Sequence, residues 1–421
     1  MHGLGHGDRL RLLAAGLPDD PATLWDGRGT VRAAEGMAEV WADLVGVRAP
    51  VAEDAAAELE ARLVQGDAEA ATLADPSTAT ALAEDLHCRA RFAKSGLRGG
   101  AALRIDTGRP GVYATSGLPD VYTRAAARVA WALTERPVGD PAAAGAAELY
   151  ELLRARLDAP DLVVPLWGRT PLKDPETALG PGTFPVEADE RLEPPVIHDN
   201  GLLMYTPWKD ENRVSGFDEY YLRPAALADD GLYAEMERLC AARGLARLRE
   251  DIRDIEVLRA GGGLHRIVER SACTPVPPGE YEANPVLSVP ALVEEVAGLL
   301  GLDEDAAALY LQLLALPQPT DRNVRRWNRW DASRHKAAQD GLAAAGLVQR
   351  DKRARAGRSV FLPGRWREID APGLPLESAK YDAYRARGAH AYHYGAYRFV
   401  LPPVPLHELF ADLWRERGAD A

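Results

Sequence analysis

Between Pro317 and Arg367 the chain carries thirteen Lys and Arg residues, with only Asp321, Asp331, Asp340 and Asp351 against them. The local balance of +9 sits in a protein of net charge −13, so the remainder is strongly acidic. Guanidinium and ammonium groups at this density suit a polyanion, because each can neutralise a phosphate oxygen and release its condensed counterion. Charge alone leaves a second reading open, a solvated basic face with no partner.

The elements that would position these cations read as helix, helix, helix, hairpin. Asp303 to Leu316 spaces Leu309, Leu311, Leu313, Leu314 and Leu316 close to a helical stripe, and Pro317 and Pro319 end it. Thr320 stands at a helix N-cap, with Asp321 in the first turn of a short helix reaching about Asn328. Asp331 is the next cap, opening a helix with Ala338, Leu342 and Ala345 on one face and Gly346 just past its end. His335, seven residues before Leu342, faces inward on this reading. The period then changes to two. Leu347–Arg350 and Ser359–Leu362 read as strands around the basic loop Asp351–Arg358, and Pro363-Gly364 stops the second.

This order resembles a winged helix-turn-helix domain, over roughly residues 303–367. The resemblance implies that the third helix enters a DNA groove, with Ser333, Arg334 and Lys336 at bases or phosphates. It implies backbone contacts from Arg322, Arg325 and Arg326 on the second helix, and phosphate contacts from Lys352, Arg353, Arg355 and Arg358 on the wing. Winged helices also serve as protein-binding modules. Asp321–Asn328, Lys352–Arg358, Tyr122–Trp131 and Trp167–Pro171 are similar to segments of uncharacterised actinobacterial proteins described as DNA-binding. Those tend to be encoded beside MoxR-type AAA+ ATPases and von Willebrand factor A domain proteins, an association that implies a multi-component ATPase system.

The rest of the chain offers weaker candidates. Glu187, Asp189, Glu190, Asp210, Glu211 and Asp218 gather near His198 in sequence, but their spacing matches no metal signature, and a solvated acidic surface accounts for them. The glycines at 96–100 lack the following Gly-Lys-Ser/Thr of a phosphate loop and read as a loop into a short strand. Ala260–Gly263 reads as a hairpin turn between strands 254–258 and 264–269. His390 and His393 would share a helix face as metal ligands, yet the surrounding Tyr and Phe favour a strand that separates them. Cys88, Cys240 and Cys273 form no CxxC pair and read as buried free thiols.

At 421 residues the chain exceeds one ordinary core. The expected class is α+β, mainly helical. Residues 1–160 form a helical domain, with helices over 34–44, 52–63, 77–93, 121–135 and 140–157. Residues 161–280 are an irregular α+β region, with a hairpin turning at Asp199-Asn200-Gly201 and a helix over 232–248. Thr274–Gly279 is a boundary, a helix over 288–300 follows, and 285–370 hold the winged helix. Residues 371–421 are a tail ending in a docking helix, Pro405–Arg417, whose apolar side carries Leu406, Leu409, Phe410 and Trp414. No apolar run approaches the ~18–20 residues a bilayer needs, and the N-terminus has no signal-peptide layout, so the cytoplasm is the default location. No nucleophile–base, metal or nucleotide motif stands out, so the expectation is a non-enzyme without cofactor. Double-stranded DNA is the first-ranked partner, and a protein of an AAA+ or von Willebrand factor A system the second. If about five cations meet phosphates, log K should fall with log salt at a slope of about −4 to −5. No heptad marks a dimer.

Overall fold

The structure, a computed structural model, describes residues 6–18, 20–45, 51–76, 88–94, 101–106, 118–160, 162–166, 172–179, 183–185, 196–206, 219–369, 371–386 and 400–419. It is mainly helical with small sheets. Among the described residues no helix is long and apolar enough to cross a membrane.

Residues 1–50 form one compact unit and 51–421 another. In the first, α1 (His6–Ala15) packs on α2 (Gly27–Val45), and Asp20 caps the turn Pro21–Trp25 by accepting from the Ala22 amide at 3.0 Å.

The second unit holds two hydrophobic cores. The first gathers α3 (Glu53–Leu63), α4 (Asp67–Ala74), β1 (Cys88–Lys94), β2 (Ala101–Asp106), α5 (Leu118–Glu135), α6 (Pro141–Leu157), β3 (Leu162–Leu166), α7 (Pro175–Leu179), β4 (Thr183–Pro185), β5 (Val196–Asp199), β6 (Leu203–Thr206), β7 (Glu219–Leu222), α8 (Asp230–Arg243), α9 (Ala246–Ala260) and α10 (Gly262–Cys273). The strands make one antiparallel sheet, ordered β2-β1-β3-β7-β6-β5-β4. Leu153 and Leu157 of α6 share a core with Leu162 and Val164 of β3, so packing runs straight through the boundary expected at residue 160. The hairpin at Asp199-Asn200-Gly201 forms as read: the Asn200 side chain accepts from the Leu202 and Leu203 amides at 3.0 and 2.8 Å.

Three expectations are corrected here. Cys88–Lys94 is a strand, not the end of a helix, because it finds partners in Ala101–Asp106 and at Leu162–Val163. Residues 254–258 and 264–269 are helical: Leu248, Ile252, Ile255 and Leu258 recur three or four apart, and all are buried. The glycines between them turn one helix into the next, with Gly261 at φ +78°. Cys240 is buried as expected, but Cys273, last in α10, is exposed.

The second core begins at Ala283, just beyond the expected boundary at Thr274–Gly279. It contains α11 (Pro285–Ser288), α12 (Pro290–Leu300), α13 (Glu304–Ala315), α14 (Asp321–Asn328), α15 (Ala332–Ala344), β8 (Gln349–Arg350), β9 (Val360–Phe361), β10 (Trp366–Arg367), β11 (Leu376–Glu377), α16 (Ser378–Ala386) and α17 (Leu406–Ala419). Helix α13 is buried at every position from Ala306 to Ala315 and packs against α12, α15 and α17. The caps are those the sequence marks. Asp303 accepts from the Ala306 amide at 2.7 Å, Thr320 from Asn323 at 3.1 Å and Asp331 from Arg334 at 2.8 Å. Each contributes roughly 1 kcal/mol by satisfying an otherwise orphaned donor. The β8–β9 pairing is shorter than the expected strands, two residues on each side.

Candidate nucleic-acid interface

The basic segment is built around a short polar tie. The Asp321 amide donates to the Gly357 carbonyl at 2.9 Å, which fixes the start of α14 against the loop between β8 and β9. Gln339 of α15 donates to the Asp321 carboxylate at 3.0 Å, and the Ser359 hydroxyl beside β9 donates to the Gln339 side-chain amide oxygen at 3.4 Å. His335 is buried, as its position in the sequence indicates, 3.8 Å from Asp321. Burial pushes its imidazole below the ordinary value, partly opposed by the Asp321 charge. The reverse side is fixed by a buried amide pair. Gln312 of α13 and Asn328 of α14 each donate to the other, at 3.0 and 2.9 Å.

Four cations project from this frame with no side-chain partner among the described residues: Arg322 and Arg325 on α14, Lys352 in the hairpin loop, and Arg365 before β10. Arg322 follows the residue tied to Gly357, so it stands beside the loop that carries Lys352. Ser333 is exposed in the first turn of α15.

Seven of the thirteen cations already meet carboxylates of this chain. Arg334 makes a bidentate pair with Asp305 at 2.5 and 2.7 Å and lies over Trp330. Lys336 pairs with Asp340 at 2.6 Å, and Arg350 reaches the same carboxylate. Arg326 holds Glu58 of α3 and stacks on Tyr281; Arg329 meets Glu280 at 2.7 Å. Arg353 pairs with Asp351 at 2.9 Å and lies 4.4 Å from the Phe361 ring centre and 4.7 Å from that of Trp366. Of the others, Arg355 donates to the Ile369 carbonyl at 2.8 Å and to Gly373, and Arg367 lies over Tyr381.

The seventh, Arg358, corrects an expectation. Its side chain is 2% exposed and donates to Glu377 at 2.8 and 3.0 Å, so it is an internal cation and not a phosphate contact. Lys380 of α16 completes the cluster, 3.2 Å from Glu377 and 2.8 Å from the Leu316 carbonyl. Burial alone would raise the Glu377 carboxyl, but Lys380 and Arg358 outweigh it and hold it at about 2. Burial pulls Lys380 down to about 8, with Glu377 opposing. Nothing local in the sequence flags this cluster, because its members come from the hairpin loop, β11 and α16.

Of the weaker candidates, His198 is buried and stacks on Tyr205 at 6.4 Å between ring centres, and Asp199 is held by Arg223 through two bonds of 2.6 Å. Both are thus engaged in the sheet. Glu187, Asp189, Glu190, Asp210, Glu211, Asp218, the glycines at 96–100, His390 and His393 lie outside the described residues. No family of proteins, curated protein or solved structure matches this chain.

Proposed function

We propose that this protein binds double-stranded DNA through a winged helix spanning residues 303–367, acting as a regulator or adaptor. The single observation that carries the reading is the set of outward cations with no side-chain partner among the described residues, Arg322, Arg325, Lys352 and Arg365, in a segment whose other cations are engaged. Three capped helices and a basic hairpin, tied at Asp321, Gln339 and Gly357, support it. Arg334 and Lys336, in the first turns of the third helix, become DNA contacts by exchanging exposed carboxylate pairs for phosphates or base edges, an exchange of small net cost.

The test is fluorescence anisotropy of the full chain on mixed-sequence duplex at about 50 and about 200 mM salt. Four phosphate contacts give a slope of log K on log salt of about −3 to −4, shallower than the raw count of cations suggests. The variant Arg322→Ala/Arg325→Ala/Lys352→Ala should lose most of that binding while remaining folded. No binding by the wild type at low salt, or binding indifferent to salt, would overturn the reading.

A second reading has its own support. Seven of thirteen cations pair with carboxylates of this chain, and cations of this kind suit an acidic protein face as well as a phosphate. On that reading the same four cations meet an acidic face of a partner protein, and an ATPase-system subunit is the candidate that the resemblance of its segments suggests. Pull-down on the neighbouring ATPase by the wild type, lost in the triple variant while DNA is ignored, would favour it.

A further inference from the structure

The unit formed by residues 1–50 shows its apolar side chains to solvent. Leu10, Leu13, Leu17, Trp25, Val31 and Trp41 are between 40% and 92% exposed, and of its described apolar side chains only Leu12 is buried. The exposure follows from how the two helices meet. A methyl group on Gly36 of α2 would stand 2.6 Å from the Ala15 carbonyl oxygen, and one on Gly16 would stand 2.5 Å from the Met37 sulfur, so α1 and α2 touch along these glycines. At 3.6 residues per turn, Leu10 and Leu13 lie on the far side of α1, with Leu17 just past its end. Val31, Ala34, Ala38 and Trp41 recur three and four apart on the far side of α2, and all four are exposed. A helical pair with one buried leucine is marginal in water. The six large side chains leave on the order of 800 Å² open, more than the largest apolar patch of a typical monomer. It is also about the 800 Å² that each partner brings to a stable interface of standard size. Residues 1–50 carry seven acids against five bases, so neither DNA nor an anionic bilayer is drawn to them.

We propose that residues 1–50 are a dimerisation unit, in which α1 and α2 pack on α1 and α2 of a second copy of this chain as a four-helix bundle. The contact of Ala15 with Gly36 sets which residues of the two helices stand level, and a two-fold axis along the helices keeps those levels between copies. Leu17 then meets Ala34 of the second copy and Leu13 meets its Ala38, large against small, as interdigitating helices require. Glu39, which has no side-chain partner among the described residues, comes level with Arg11 of the second copy, opposite in sign. The stripe on α2 runs for less than two heptads, which is why the sequence carries no dimer signal. The inference stands whether or not the protein binds DNA.

Sedimentation velocity of the full chain from about 1 to about 100 μM tests it, a range in which a moderate dimer affinity is visible. The expected result is a monomer–dimer equilibrium for the wild type. Leu13→Lys and Ala38→Glu each set an unpaired charge into the bundle, and each should raise the dissociation constant about a hundredfold or more. Mixed in equal amounts, the two variants should recover the dimer, because the introduced charges are opposite and meet across the interface. That rescue separates loss of an interface from loss of folding. Leu299→Glu, in α12 and 70% exposed before substitution, should leave the dimer intact. A monomeric wild type over this range, a dimer indifferent to either variant, variants that stay apart on mixing, or a dimer equally weakened by Leu299→Glu would each overturn the assignment.

Discussion

Replacing Arg358 with Met separates a structural cation from a recognition cation. The Arg358 side chain is 2% exposed and gives Glu377 two hydrogen bonds, at 2.8 and 3.0 Å. Removing it leaves a carboxylate, itself 6% exposed, facing Lys380 alone at 3.2 Å. Breaking one partner from a buried ion pair costs about 3–5 kcal/mol, and the retained Lys380 places this case at the lower end. The titration of Glu377 gives a similar figure. Holding a carboxyl at about 2 against an ordinary 4.5 corresponds to roughly 3 kcal/mol, shared between Lys380 and Arg358. The sign follows from the depressed pKa: this stabilisation is fully present above about pH 4.5 and is lost as pH falls from there towards 2. Urea unfolding at pH 7, followed by tryptophan fluorescence, should show the midpoint of Arg358→Met lowered by about 1–2 M for a typical slope near 2 kcal/mol per M. Exposed Lys352→Met should leave it in place. Wild type should also lose more stability than the variant between pH 5 and pH 2. A midpoint for Arg358→Met that coincides with that of Lys352→Met would refute the reasoning and return Arg358 to the surface.

Other substitutions read different links of the chain from sequence to function. Gly145→Ala in α6 would set a methyl group 1.5 Å from the Leu73 carbonyl oxygen, so α4 and α6 must separate; calorimetry should show a loss of about 2 kcal/mol or more. Asp254 is buried in α9, and desolvation lifts its carboxyl to about 7. A raised carboxylate pKa costs stability as pH rises from about 4 through 7, so Asp254→Asn should gain up to about 4 kcal/mol at pH 8 and little at pH 4 by chemical denaturation. Arg334→Ala removes a half-exposed pair with Asp305, worth about 1 kcal/mol at most; its effect should appear in the discrimination between DNA sequences by competition binding, not in the melting temperature.

What the sequence made legible was local. The caps at Asp303, Thr320 and Asp331 are single residues, each acting on the amide three positions on, and all three form as read. The hairpin at Asn200-Gly201 rests on the same short range of cause. Reading failed where the deciding partner is distant. Cys88–Lys94 is rich in Ala and Arg and passes for the end of a helix; only its pairing with Ala101–Asp106 and with Leu162–Val163 makes it a strand. Ala260–Gly263 carries two possible meanings, and Ile252 and Ile255, buried one helical turn apart, decide for the helix. Among the candidate site residues the basic character of the segment was plain, but not which cations remain available. Arg358 and Arg322 are identical in type, and their difference is set by Glu377, nineteen positions from Arg358 and in a separate element.

Residues 400–404 carry a consequence for anyone who would cut this protein in two. Leu401 is buried in the first core, while Val400 and Val404 on either side of it belong to the second. The Val400 carbonyl accepts from Arg62 of α3, and the Pro403 carbonyl presses so closely on Gly263 that no side chain fits there. The chain thus acts as a basting thread, returning from the later core to stitch itself into the earlier one. A scission between Pro277 and Pro278, both exposed, with buried Val276 and the Gly279 amide bonded to Val138 on either side, would break the covalent path without parting the pieces. Each half would keep a seam that only the other can close, so the two fragments, made separately, should reassemble when mixed.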